Sequence, residues 1–570
     1  MDRIEQILWN KTVDQLTRLC KAGKLKKTSG YKDTKVARLC ELYSQENWEK
    51  QIYDELTECE QEMMKCYIQN RYHPQDYQIE EIMKKYQYSG KNYYSHNEAP
   101  YFSEESKANL FFIENEEIPE EFKIQLDKLV EPLKIKIEPC KEVIDPEEYY
   151  AYIIGREDRI NDIDEFIKFI NVSKIKPTKS KEQMPKSAII KLYQKLKYPE
   201  VLRNEEIEIE NIRSIEDTTI TYGIMELLEN SLIVGIEKGE LYIDKLFCKD
   251  YAKQNKVEKV KYLLENYTRE GIGINEAKRI KSGKFYIQNS IPEYGEARKT
   301  IIEYLKKCPV NEWIQTDELK KWIRIYEYQF LRKYTGEVLK KHEYYNEYYE
   351  ASHEEFENAF IDIVLMEYLA TLGIVDVVIS TTSYKYSYEE FITVDYFRVT
   401  KLGSYVLGIN QEEYMQESQE DELTVTKDFD IIIGETGKKL NHELYFDRFL
   451  NKKSDNPSIY KLDFTGMAKA LSLGISIEEI YMYLTDNCTN DIPDNIKLKI
   501  FEWIEDAEKI KIKTITILEV DKDNFIEIME NSNMKKYIDS VRKNVIVLKN
   551  NKIENVRKEL EKQEKFCIDG

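Results

Sequence analysis

Histidine is scarce in this chain, with five residues in 570, at His73, His96, His342, His353 and His442. Imidazoles so far apart argue against a zinc centre, which needs clustered ligands. The nine cysteines contain no C-x-x-C pair and read as reduced, mostly buried thiols. Glycine (20) and proline (13) are too few for a disordered or fibrous chain. A phosphate-cradling loop is also missing: the nearest stretch, Gly434-Glu435-Thr436-Gly437-Lys438-Lys439, has the wrong spacing and no hydroxyl after the lysine. No G-x-S-x-G turn presents a nucleophile. Pairs of acids carry no signal where Asp and Glu number 106. These absences predict a protein that is not an enzyme and uses no cofactor and no metal. Nowhere do ~18 apolar residues run together, and Met1 is followed by Asp2, Arg3 and Glu5 rather than by a basic and then an apolar stretch. The expectation is a cytoplasmic protein with no membrane partner.

Cations are outnumbered, 85 against 106, for a net charge of -21. Such a surface repels phosphate at long range, so any DNA contact must be local. What the chain does have is length, 42% hydrophobic residues and abundant Tyr (43), Lys, Ile, Asn and Glu, the last a bias of AT-rich bacterial genomes. The length predicts roughly three to five domains. The patterns predict a mainly α protein with small β wings, built as tandem winged-helix modules and ending in a C-terminal α/β domain.

Residues 1–50 read as two short helices, through Ile4, Leu8 and Leu16 and through Val36, Leu39 and Leu42, around a glycine-bearing turn. Residues 51–140 open with the capping pattern Thr57-Glu58-Cys59-Glu60 and are expected to form a first winged helix. Nine carboxylates against two arginines between Glu142 and Glu165, then the basic stretch Lys174 to Lys186, predict an acidic connector and linker over 141–183. Residues 184–295 contain a helix ending at Asn230 and an alternating hairpin, Leu232 to Ile243, turning at Lys238-Gly239, which is the pattern of a winged helix. Residues 296–410 repeat the plan: three helical stretches, a strand Gly373 to Ser380, a strand Tyr396 to Thr400 and a closing helix. The acidic stretch Gln411 to Glu422 marks a boundary before a domain over 422–567, whose first strand is expected to run from Leu423 to Gly434.

One basic island stands out. Between residues 11 and 40 there are nine Lys or Arg against Asp14 and Asp33. Its DNA-binding candidates are Lys21, Lys24, Lys26, Lys27, Lys32, Lys35 and Arg38, grouped closely enough to neutralise several phosphates. The stretch Lys535 to Lys565, with ten basic and five acidic residues, reads as a solvated surface.

The run Leu423-Thr424-Val425-Thr426-Lys427-Asp428-Phe429-Asp430-Ile431-Ile432-Ile433, followed by Tyr460-Lys461-Leu462-Asp463, Gly474-Ile475-Ser476-Ile477-Glu478-Glu479-Ile480, Ile492-Pro493-Asp494-Asn495-Ile496 and Glu502-Trp503-Ile504, resembles the XPB helicase N-terminal or helicase-associated domain. Upstream, Leu372-Gly373-Ile374-Val375-Asp376 and Phe397-Arg398-Val399-Thr400-Lys401-Leu402-Gly403 look like the winged helix that precedes that domain in bacterial helicase-associated proteins. Thr12-Val13-Asp14-Gln15-Leu16 to Leu42 is similar to a SAP or Rho N-terminal motif. The layout is similar to the winged-helix subunit of TFIIH that holds XPB. The resemblance implies a non-catalytic accessory protein that binds or regulates a DNA helicase of XPB type and contacts DNA locally, with DNA repair, transcription and defence all open as its pathway. Both motor lobes of a helicase are missing, so helicase activity is not implied. The alternative is a stand-alone DNA-binding transcription regulator.

Overall fold

The structure, a computed structural model, describes residues 2–570 apart from 26–29, 89–100, 115–116, 132, 143, 180–181, 204–207, 270–273, 281–284, 288–292, 337, 342–347, 351–352, 384–389, 411–422, 435–437, 510–515, 543–544, 550–551, 566 and 568–570. It is mainly helical, with several small antiparallel sheets. The chain divides into one unit of residues 1–420 with 435–444 and a second of 421–434 with 445–570. Among the described residues no helix is long and apolar enough to cross a membrane, and all nine cysteines are free.

The first unit contains two hydrophobic cores. The N-terminal one runs from Ile4 to Val130 and is built from helices; between 51 and 140 the described residues form no strand, only an isolated Glu114–Glu117 bridge. Among the described residues the expected winged helix at 51–140 shows no wing, and the expected boundary at residue 50 does not separate two cores. The cause is aromatic: Trp48 packs edge-on against Tyr43 and Phe122, each at 4.7 Å between centroids, and the Tyr43 hydroxyl donates to the Leu110 carbonyl at 3.0 Å. The capping box Thr57/Glu60 starts helix Glu58–Gln69 as its sequence indicates.

The second core runs from Ile137 to Leu407 and also takes in Leu440. The segment 141–183, expected to be an acidic connector and linker, is instead part of it. Strand Ala151–Ile153 pairs with Val375–Ser383, and helix Ile160–Val172 buries Ile160, Ile163, Phe166, Ile167 and Ile170, one face at helical spacing. The acids on this helix are wholly or partly withdrawn from solvent, while Glu142, Asp145, Glu147 and Glu148 before it are exposed. Asp164 accepts from the Lys259 ammonium at 2.6 Å and the Tyr251 hydroxyl at 3.0 Å, and Asp162 accepts from the Lys197 backbone N–H at 2.8 Å.

Residues 184–295 and 296–410 also share this core, and a buried ion network joins them. Glu367 lies in a π-helical turn, Val364–Leu369, that continues helix His353–Ile363, and it is fully buried. Its carboxylate accepts from the Arg279 Nε and Nη2 at 2.7 to 3.0 Å, and Arg203 approaches to 3.6 Å. The Arg279 guanidinium also lies 3.7 Å from the Tyr222 ring centroid and donates to the carbonyls of Glu216 and Thr218. Beside it Arg298 donates to Glu276 at 2.7 and 2.9 Å and to the carbonyls of Tyr267 and Ile274. Burial works against both arginine charges; Glu367 and Glu276 override it and raise the two pKa values. Helix Ile220–Asn230 comes so close to the π turn that a Cβ on Gly223 would sit 2.0 Å from the Glu367 carbonyl oxygen, so only glycine fits.

The hairpin Val234–Glu237 with Glu240–Ile243 forms where its alternation places it, turning through Lys238 and Gly239, both with positive φ. Farther on, strands Ala151–Ile153, Val375–Ser383, Glu390–Val399 and Ile314–Gln315 make one antiparallel sheet in that order.

In the second unit the expected strand Leu423 to Gly434 is a hairpin, Leu423–Val425 with Asp430–Ile433, because Phe429 turns the chain with φ 64°. Strands Asn451–Asp455 and Ser458–Lys461 complete a four-stranded sheet. Helices Phe464–Ser472, Ile477–Asn487 and Asp494–Lys509 follow, and their inner faces supply Met467, Ala470, Ile480, Leu484, Ile496 and Ile500 to the core. A smaller core around Ile528, Met534, Ile546 and Leu560 closes the unit on a three-stranded sheet.

Candidate nucleic-acid interface

The basic island folds as helices Val13–Ala22 and Lys32–Tyr43, packed on each other and preceded by helix Asp2–Asn10. Thr12 and Gln15 form a reciprocal capping box at 2.8 and 3.2 Å, which starts the first of the pair. Leu16, Leu19 and Cys20 on one helix and Val36, Leu39 and Tyr43 on the other face the core, which turns most polar positions outward.

The seven DNA-binding candidates do not share one role. Lys21 and Lys24 are exposed, Lys24 just past the helix end with φ 50°. Lys32 is partly buried, with its ammonium 5.9 Å from the centroid of Trp9. Arg38 is exposed and pairs with Glu41 at 2.9 Å. Lys35 is a correction: it is 5% exposed and donates to the Gly30 carbonyl at 2.6 Å, so it ties down the turn and cannot reach a phosphate. Lys26 and Lys27 lie outside the described residues.

Three residues missed in the sequence belong to the same surface. Tyr31 is 86% exposed and Trp9 is 44% exposed. Lys107, bonded to Glu55, has its pKa lowered first by burial and then by Lys24, which places a further cation beside the island. Aromatic residues next to lysines were visible in the sequence; their exposure was not.

Elsewhere the chemistry is structural. Among the described residues no group of three or more His, Cys, Asp or Glu is placed to hold a metal ion. His73 is stacked on Tyr328 at 3.6 Å between centroids, and burial pushes its pKa down to about 4. A cleft of about 620 Å³ beside Tyr53, Gln69 and Leu133 presents Lys65 and Lys134, with Lys134 paired to Glu131 at 3.2 Å. In the C-terminal basic stretch, Lys565 bonds Glu527 and Asn524, Lys562 bonds Glu559, and Lys549 bonds the Lys536 carbonyl. No protein-family model matches the chain, and no curated protein matches it.

Proposed function

We propose that this chain is a non-catalytic accessory protein of a DNA helicase of XPB type, in which the second unit docks the partner and the N-terminal helix pair contacts nucleic acid. The observation that carries the docking half is a set of large apolar side chains left outside the core of the second unit. Phe464 and Leu498 are each about two-thirds exposed, and Leu471, Met482 and Phe501 join them on the outer faces of the three consecutive helices. Five such groups on three consecutive helices support reading this as a face that another protein covers.

The element order over 295–399 supports reading that region as a winged helix. It runs helix Gly295–Leu305, strand Ile314–Gln315, helix Thr316–Tyr326, an insertion of helix Arg332–Thr335 and the strand pair Val338–Lys341 with Tyr348–Glu350, helix His353–Ile363, then the hairpin Val375–Ser383 with Glu390–Val399, and the short first strand pairs with the last. The helix that such a fold would lay in a DNA groove is the one continuing into Glu367. From Phe360 to Val375 its residues and those that follow are buried without exception, which supports a packing role for this part of the helix. This reading gives nucleic-acid contact to the N-terminal helix pair.

The test is co-purification with a helicase of XPB type. The pair is expected to elute as one complex, and the chain alone is expected to hydrolyse no ATP while changing the helicase's ATPase. Leu498→Glu with Phe464→Glu is expected to release the helicase without unfolding the chain. Retention of the complex by that double variant, or no complex at all, rejects the reading.

A further inference from the structure

Two exposed rings accompany the lysines of the N-terminal helix pair. Trp9 lies at the end of helix Asp2–Asn10, and Tyr31 is the N-cap residue of helix Lys32–Tyr43. Lys32 links them: it follows Tyr31 in the chain, and its ammonium lies over the Trp9 ring. The support beneath is well defined. Lys35 ties back the Gly30 carbonyl one residue before Tyr31, and the Trp9 indole N–H donates to Glu5 at 3.4 Å. Tyr31 adds nothing to the core, where its helix is represented by Val36, Leu39 and Tyr43. Two exposed rings with Lys32 next to both, and Lys21 and Lys24 exposed at the end of the neighbouring helix, offer what an unpaired strand needs, faces for bases and charges for the backbone.

We propose that Trp9, Tyr31 and Lys32, with Lys21 and Lys24, form a binding site for single-stranded nucleic acid, with bases stacked on the two rings and phosphates on the lysines. This rests on the reading of the helix pair as a nucleic-acid contact and narrows it, because bases inside a duplex are stacked on one another and offer no free face. Glu5 and Asp33 stand among the same residues and repel phosphate, so binding draws on stacking more than on charge. With three lysines engaged, log affinity is expected to fall with log salt at a slope of about -2, shallow for a nucleic-acid binder.

Fluorescence anisotropy of the full chain with a short labelled oligothymidylate, its RNA counterpart and a duplex of equal length tests this at two salt concentrations. Single strands are expected to bind more tightly than the duplex. Tyr31→Ala is expected to weaken strand binding roughly fivefold or more, leaving any duplex binding and the circular-dichroism spectrum unchanged. Tyr31→Phe is expected to retain binding, since stacking needs the ring and not the hydroxyl. A duplex preference, or strand binding indifferent to Tyr31→Ala and to Trp9→Ala, overturns the single-strand site while leaving the helix pair as a nucleic-acid contact. Failure of every probe at low salt rejects both. Loss confined to helicase capture assigns the rings to protein docking and overturns the proposal.

Discussion

Arg279 and Arg298 sit deep in the middle core, each gripped by a buried carboxylate, whereas Lys21 and Lys24 stand in water on the N-terminal helix pair. In the sequence both sets are cations in charged, helix-forming stretches. What separates them is a carboxylate delivered from elsewhere: Glu367 is 88 residues from Arg279 and Glu276 is 22 from Arg298, while among the described residues Lys21 and Lys24 receive none. A buried cation is thus a fact about tertiary structure, and a surface cation is what remains for a ligand. Lys35 shows how narrow the line is, since it belongs by sequence to the surface set and by burial to the other.

The comparison breaks most visibly at Glu367. Glu367→Ala leaves Arg279 buried without its carboxylate and is expected to cost about 3 to 5 kcal/mol. Urea unfolding of the full chain reads this directly, and adding Arg279→Met is expected to recover much of the loss, because the penalty lies in the orphaned charge. If the second substitution deepens the loss, the network is stabilising by packing instead.

Next in size is Lys35. Lys35→Ala removes a charge-assisted bond to a backbone carbonyl and is expected to cost about 1 to 3 kcal/mol. Lys24→Ala, at an exposed site, is expected to stay within about 0.5 kcal/mol. Thermal melts of the two variants side by side check the division; equal losses would erase it.

A pH dependence separates a buried carboxyl from an exposed one. Burial, followed by repulsion from Glu226, pushes Glu229 up to about 7. A carboxyl whose folded pKa is raised favours the folded state most at pH below its unfolded value of roughly 4.3, and that contribution drains away as pH climbs to about 7. His73 works in the opposite sense: its folded pKa of about 4 makes it lose stability as pH falls below roughly 6.5. Glu229→Gln is therefore expected to raise the melting temperature more at pH 8 than at pH 5. An equal shift at both values would show that Glu229 does not titrate in that window.

Legibility in the sequence followed how local each determinant was. The hairpin at Lys238-Gly239 and the capping box at Thr57 and Glu60 form where their residues place them, because turn and cap chemistry act over two to four neighbours. The segment 141–183 departs from expectation because six of its nine carboxylates precede helix Ile160–Val172, so the count says little about that helix, where Ile160, Ile163, Phe166, Ile167 and Ile170 define one buried face. The long strand from Leu423 was misread because Phe429 carries a positive φ that its residue type does not announce. At the interface, the cations were visible and their division was not: Lys35 is removed from the surface by a bond to Gly30, and Tyr31 joins it through exposure alone.

The strand Ala151–Ile153 has a consequence for how the chain is made. Its partner begins at Val375, more than two hundred residues later, and the Gly155 N–H bonds Asp376 across 221 residues. At a ribosomal pace of about 5 to 20 residues per second, an unpaired strand edge and the apolar helix behind it wait on the order of ten seconds or more for their neighbour. Over that interval the nascent middle of the chain is a substrate for chaperones, and a translation stall before residue 375 would leave a product that sticks to itself rather than one that is half functional.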